Sequence, residues 1–197
     1  MNIGGISNIS VLTDNAVLGF DCGPGNCLLD EWISKHCGKA FDENGDWARQ
    51  GRILPDVLTR LLADRYFSLP APKSTGREIF HLGWLQAVLN GSEAPVDVMR
   101  TLVRLTATVI AKSVPDDITQ LTVVGGGAKN PLLMADIAAL LPHLVIQNET
   151  PFDAQHVEAL GFALLGRAAL LRQPLETQAI TGVAYCVLNK AIIQIRL

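Results

Sequence analysis

Apolar and polar residues alternate from Ile3 to Leu12, with Gly4-Gly5 inside the run. Asp14-Asn15 interrupts the pattern, and Ala16 to Phe20 is strand-like again. Period-two runs on both sides of a turn predict a β-hairpin over Asn2–Phe20. The period then changes: Leu28, Leu29, Trp32 and Ile33 share one face of a helix predicted from Cys27 to about Cys37. A shorter helix is expected from Leu54 to Asp64, with Pro55 in its first turn, and another over Ile79–Leu89, packing Phe80, Leu82, Gly83 and Leu85. Pro95 to Val114 carries the clearest amphipathic stripe, with Met99, Leu102, Val103, Thr106, Val109 and Ile110 at i, i+3, i+4, i+7 spacing. Asp97, Arg100, Arg104 and Thr108 lie off that stripe.

The stretch Leu121–Leu141 organises the second half. A β-branched run meets Gly125, Gly126 and Gly127, then Asn130 precedes Pro131 and an apolar segment. This reads as strand, glycine turn and helix, with Asn130 as N-cap and Pro131 at the first helical position. A second strand is expected over His143–Gln147. The next helix opens at Thr150-Pro151-Phe152-Asp153 and runs to about Arg172. It is apolar nearly all round, which predicts burial, and Glu158 is the exception. A carboxylate there is either salt-bridged structure or a site residue facing a cleft. The tail from Gly182 to Leu197 is β-prone.

Composition narrows the class. Of 197 residues, 49% are hydrophobic and 18% charged, enough apolar material for one large core. Net charge is −3 and no Lys/Arg block occurs, so nothing points to nucleic acid. No apolar run is long enough to span a membrane and no signal-peptide core opens the chain, which makes a cytoplasmic location the expectation. Cys22, Cys27, Cys37 and Cys186 form no CxxC pair, and no metal site is expected from them. Asp42-Glu43-Asn44-Gly45-Asp46 lacks the later ligands of a calcium loop.

Candidate chemistry lies in the glycine turns. Gly125–Gly127 at a helix start lets a flat or anionic ligand approach the backbone, although a plain turn between core elements has the same composition. Gly23 and Gly25 do the same before the first helix, and Asp21 at the strand end can hold a hydroxyl or metal-bound water, or simply cap the turn. The polar stretch Leu69–Glu78 contains Lys-Ser-Thr-Gly but no Walker A order. A dinucleotide fingerprint fits only at Gly125 and Gly127, with Asn130 in place of the third glycine and Glu149 as the ribose acid.

Taken together, NIGGISN (Asn2–Asn8), FDCGPGN with LLDEW (Phe20–Trp32), DENGDWARQG (Asp42–Gly51), PAPKSTGREIF (Pro70–Phe80), LTATVIA, VVGGGAKNPLL and VEALGFALLG (Val157–Gly166) resemble the anhydro-N-acetylmuramic acid kinases, a branch of the sugar kinase/Hsp70/actin superfamily. The resemblance covers nearly the whole chain in family order. It implies an α/β, RNase H-like (actin-like ATPase) lobe, a mixed sheet flanked by helices. It implies ATP-dependent phosphorylation, with Mg2+, of 1,6-anhydro-N-acetylmuramic acid to N-acetylmuramic acid 6-phosphate in cell-wall recycling. By the resemblance, Gly4 and Gly5 form a phosphate-binding hairpin, and Gly125, Gly126 and Gly127, followed by Asn130, form the adenosine-binding turn. Asp21, Gly23, Gly25 and Asn26 form a phosphate- and sugar-facing turn. Glu158 is a carboxylate near the sugar, and Lys73, Ser74 and Thr75, within the loop Lys73–Glu78, lie close to the cleft.

Two departures from the family shape the expectation. A lobe that precedes NIGGISN in the family, with the first phosphate loop and the general-base aspartate, has no counterpart here, and residues 183–197 do not match the family's closing segment. Residues 1–197 are therefore expected to be a single lobe, the second half of a kinase, with no catalytic residue of its own. Its expected partners are ATP, the anhydro amino sugar, and a homo-oligomer mate or the missing N-terminal lobe. Phosphoryl transfer needs γ-phosphate, metal and nucleophile held together, so the chain by itself is expected to turn over negligibly. The other reading is a non-catalytic nucleotide-binding or structural remnant that serves as an assembly partner.

Overall fold

The computed structural model describes residues 1–12, 17–147 and 157–173, with the side chains of 157 and 158 excepted. The Asp14-Asn15 turn, the helix start at 150–153, Glu149, Cys186 and the 183–197 tail lie outside the described residues. The elements are β1 (Asn2–Ile3), β2 (Ile6–Leu12), β3 (Val17–Pro24), α1 (Cys27–Cys37), α2 (Pro55–Leu62), α3 (Leu82–Gln86), α4 (Pro95–Ser113), β4 (Gln120–Thr122), α5 (Pro131–Leu140), β5 (Val145–Gln147) and α6 (Val157–Leu170).

The opening stretch is not one long strand. Gly4-Gly5 lies in a turn, so β1 folds back antiparallel on β2 with Ile3 opposite Ser7. β2 then pairs antiparallel with β3, with an irregularity at Ser7/Asn8. β4 and β5 are parallel. The two sheets meet at a parallel bridge between Asn2 and Val124, where Ile3 N–H donates to the Val124 carbonyl and Val124 N–H to the Met1 carbonyl, both at 2.9 Å. The strands therefore run in the order β3-β2-β1-β4-β5, a mixed sheet flanked by helices, as the α/β actin-like expectation has it.

α4 is the central helix. Its apolar stripe buries Val98, Met99, Leu102, Val103, Leu105, Val109 and Ile110 against α2, α5, α1 and β3. The starts of α4 and α5 both follow from sequence. Pro95 sits in the first turn, where its missing N–H has no helical acceptor to lose. Asn130 caps α5 by accepting from Leu132 and Leu133 N–H, as the Asn-Pro order predicts. Arg100 and Arg104, off the stripe, do not face solvent. Arg100 forms a two-pronged ion pair with Asp136 of α5 at 2.6 and 2.9 Å, and Arg104 reaches the same carboxylate at 3.2 Å.

α6 departs from expectation. Among its described residues only Ala168 is buried, while Phe162 is 74% and Leu170 86% exposed. An all-round apolar helix signals that it gains by being covered, but that composition does not say which elements cover it. α3 is also shorter than the Ile79–Leu89 reading, because Phe80 goes into the core from the preceding turn and the helix begins only after His81.

Asp136 is 5% exposed and holds two guanidinium groups. Asp136→Ala leaves both without their buried partner. Denaturant unfolding should show a loss of about 3–5 kcal/mol, the cost of breaking one side of a buried pair.

Candidate functional site

Three glycine turns converge at one end of the sheet. The hairpin turn Gly4-Gly5 supplies two carbonyls to the strand-to-helix turn that follows β3. Gly25 and Cys27 N–H donate to the Gly5 carbonyl at 2.9 and 3.0 Å, and Asn26 N–H donates to the Gly4 carbonyl at 2.8 Å. These bonds occupy the N–H groups of residues 25–27 that lead into α1. Among the described residues, Gly4 and Gly5 N–H have no backbone acceptor outside the strand pairings. Asn26 also donates its side-chain amide to the Ile3 carbonyl at 3.3 Å.

The approach is close enough to exclude side chains. A Cβ on Gly25 would strike the Gly4 carbonyl and stand 3.2 Å from Ser7 N. A Cβ on Gly127 would strike the Ile3 side chain, and one on Gly125 would strike Asn2 Oδ1 and stand 2.8 Å from the Ile3 carbonyl. Gly125 also has φ of +87°, a conformation that side-chain-bearing residues rarely hold. Gly126 differs. It is exposed, it shows no positive φ, and its Cβ would meet nothing nearer than the Asn26 amide at 3.7 Å. Folding alone does not demand glycine there.

Asp21 stands earlier on β3 and anchors the loop expected near the cleft. Its Oδ2 accepts from Ser74 Oγ at 2.9 Å and Thr75 N–H at 3.0 Å, while its backbone accepts from the Tyr66 hydroxyl at 2.7 Å and donates to the Lys73 carbonyl at 3.0 Å. The side chain does not cap its own turn; it ties β3 to the distant 74–75 loop, and among the described residues Oδ1 has no hydrogen-bond partner. The same loop then crosses to the glycine turns. Arg77 lies against Gly5, with Nη2 and Nε 2.9 and 3.2 Å from where a Cβ would stand.

Other expected residues sit apart. Gly23 is buried with φ of +150°, and its Cβ would meet Phe67 and Val109, so packing accounts for it. Lys73 donates its ammonium to the Tyr66 carbonyl at 3.1 Å and lies 4.8 Å from the Tyr66 ring centre. It lines a cavity of about 190 Å³ with Phe20, Cys22, Phe67, Lys112 and Ser113. Asn130 is committed to its cap and to the close approach of Gly45. The side chain of Glu158 lies outside the described residues. The acidic run at 42–46 is structural, because the Asp42 carboxylate accepts from Trp47 and Ala48 N–H, both at 2.9 Å. Arg77 and Asn2 are the site neighbours that sequence reading did not single out. Arg77 carried no signal of its own beyond its place in the family-like loop Lys73–Glu78.

The electrostatics of the buried cysteines argue against thiolate chemistry. Burial pushes the Cys22 and Cys27 thiols up to about 11, so both are protonated at neutral pH. Burial also pushes the Asp30 carboxyl, on the first turn of α1, up to about 6, with the Arg77 charge pulling it down. Among the described residues no group of three or more His, Cys, Asp or Glu gathers to hold a metal.

The family described as "Anhydro-N-acetylmuramic acid kinase" matches residues 1–194. Proteins bearing that same name are similar over nearly all of the chain. The Pasteurella multocida protein is 48% identical over 205 residues, covering 98% of this chain and 53% of the relative. The Cupriavidus metallidurans protein is 45% identical over 93% of this chain and 52% of the relative, and one from Neisseria gonorrhoeae is 46% identical over 96% and 54%. The chain thus spans about half the length of the curated relatives it matches.

The geometry separates the three central glycines by the reason each is glycine. Gly125→Ala and Gly127→Ala should each lower unfolding free energy by about 1–3 kcal/mol, through backbone strain or overpacking. Gly126→Ala should fall within about 0.5 kcal/mol of the parent, as an unconstrained surface change does. Urea titrations of the three variants check the ranking.

Proposed function

The chain belongs to the anhydro-N-acetylmuramic acid kinase family, and from that premise we propose that it forms the nucleotide-binding part of an ATP-dependent kinase. Its substrate in this reading is 1,6-anhydro-N-acetylmuramic acid, its product N-acetylmuramic acid 6-phosphate, and its setting cell-wall recycling in the cytoplasm. The observation that carries the reading is Gly126. It is a glycine that neither φ nor packing requires, on an exposed turn between two glycines that both are required. A bare peptide surface of that kind suits the flat face of adenine or ribose. The neighbouring hairpin leaves Gly4 and Gly5 N–H as donors for phosphate oxygens.

Asp21 is the carboxylate to which we assign the water. Two donors fix its Oδ2, so Oδ1 has a set direction and is free to orient a water and accept its proton. The oxygen of that water would bond to the anomeric carbon as the anhydro bridge opens, and the released sugar oxygen would take the γ-phosphoryl group from ATP, with ADP as the leaving group. This assignment moves the base from the expected upstream lobe onto β3. Ser74 and Thr75 then act as positioning residues for Asp21. Mg2+, carried on the triphosphate, would supply charge neutralisation, and one carboxylate plus phosphate oxygens is a sufficient set for it. Lys73 supports the loop from behind, and Glu158 is retained as the sugar-side carboxylate. The upstream half of the relatives' length, or a second copy of the chain, is the expected partner that closes the cleft.

Two measurements test the proposal. Gly126→Val should abolish ATP binding by calorimetry while the circular dichroism spectrum stays that of the parent. Unchanged ATP affinity in the folded variant counts against the adenosine site. The second is sugar-dependent ADP formation, assayed with the chain alone, where turnover should be negligible, and again with the remaining half of a relative supplied in trans. Asp21→Asn should lower the combined rate about 10²–10⁴-fold, the usual worth of a positioned base. ATP binding with no transfer in either format would favour the non-catalytic remnant instead.

A further inference from the structure

Arg77 is held at the glycine turns by anchors on both sides. Two residues before it, Thr75 N–H is bonded to Asp21. Three residues after it, Phe80 is fully buried and packs on Phe67, Tyr66 and Trp84. Between them the chain turns sharply, with Ile79 and Phe80 N–H both donating to the Gly76 carbonyl at 3.2 Å. The segment thereby has little freedom, and its one cationic side chain reaches the Gly4-Gly5 hairpin.

The Arg77 side chain is exposed at that position. Among the described residues no carboxylate lies within ion-pair distance of Arg77. The nearest acid it acts on, Asp30, feels its charge without pairing. By contrast Arg100 and Arg104 share Asp136, and Arg52 pairs with Asp97. Beside Arg77 stands Gly5, and among the described residues neither the Gly4 nor the Gly5 N–H has a backbone acceptor outside the strand pairings. A fork of guanidinium donors next to backbone N–H groups matches the oxygens of a phosphoryl group.

We propose that Arg77 binds the terminal phosphate of the nucleoside triphosphate, clamping it against the Gly4-Gly5 hairpin. The proposal rests on the reading of that hairpin as a phosphate site. Arg77 would thus neutralise charge that develops as the phosphoryl group transfers. Glycine at position 5 then makes the seat of the guanidinium, since a Cβ there would meet Arg77 Nη2 at 2.9 Å.

Tripolyphosphate, which has the phosphate chain without base, ribose or sugar, separates this from the rest of the site. Titrated calorimetrically into the 197-residue protein, it should bind the parent, with Arg77→Ala weakening it about 10- to 100-fold, the worth of one to two charge-assisted hydrogen bonds. Arg77→Lys should recover part of the loss, since it restores charge but not the fork. Millimolar guanidinium added to Arg77→Ala should recover part as well. Arg52→Ala, a surface control, should bind like the parent, and thermal melts establish that each variant is folded. Equal binding by the parent and Arg77→Ala, or binding by neither, overturns the proposal. Arg77-dependent tripolyphosphate binding without sugar-dependent ADP formation in either format would overturn the kinase reading and leave this one standing.

Discussion

The fold's site depends on backbone meeting backbone where no Cβ fits. The Gly4-Gly5 hairpin gives its carbonyls to the turn that opens α1, and Gly125 and Gly127 seat the next turn on Asn2 and Ile3. Each contact is set by hard-sphere exclusion, which rises steeply over tenths of an ångström, rather than by an interaction that weakens gradually. Three segments far apart in sequence are thereby fixed relative to one another with a precision that side-chain packing alone would not impose. Gly126 is the one glycine of its turn that this packing leaves unconstrained.

A second constraint works through one carboxylate. Asp21 ties β3 to Ser74 and Thr75, and the Tyr66 hydroxyl closes the same patch from the backbone side. Burial pushes the Tyr66 phenol well above its ordinary range, so it stays protonated and remains a donor. The loop is thus rigid for a polar connection, and its later residues inherit that rigidity. Two donors on one oxygen give that carboxylate a fixed direction.

Much of this was legible in the chain. Asn130-Pro131 announced its helix cap, the spacing in α4 announced its buried face, and α1 buries the four residues its pattern chose. The three glycine turns of the sequence do come together at one end of the sheet. What stayed hidden was pairwise and long-range. No local pattern says that Thr75 finds Asp21, 54 positions away, so nothing marked Arg77 as a neighbour of Gly5. Nor could composition reveal that Gly4-Gly5 turns the chain back within what read as one strand, because a glycine pair in an alternating run fits a bulge as well as a reversal. In α6 the apolar count correctly reports a helix favoured by cover, while its exposure depends on neighbours outside its own sequence.

The parallel bridge between β1 and β4 also has a kinetic meaning. The antiparallel half, β1 to β3, is made from contacts close in sequence, and so is the β4–β5 pair with its α5 crossover. Joining them requires Ile3 to find Val124, closing a loop of more than a hundred residues. Loop-closure entropy and the dependence of folding rate on contact separation both put that step late. Until it happens, β1 and β4 each present an unpaired edge, the form in which a chain is most open to pairing with a copy of itself.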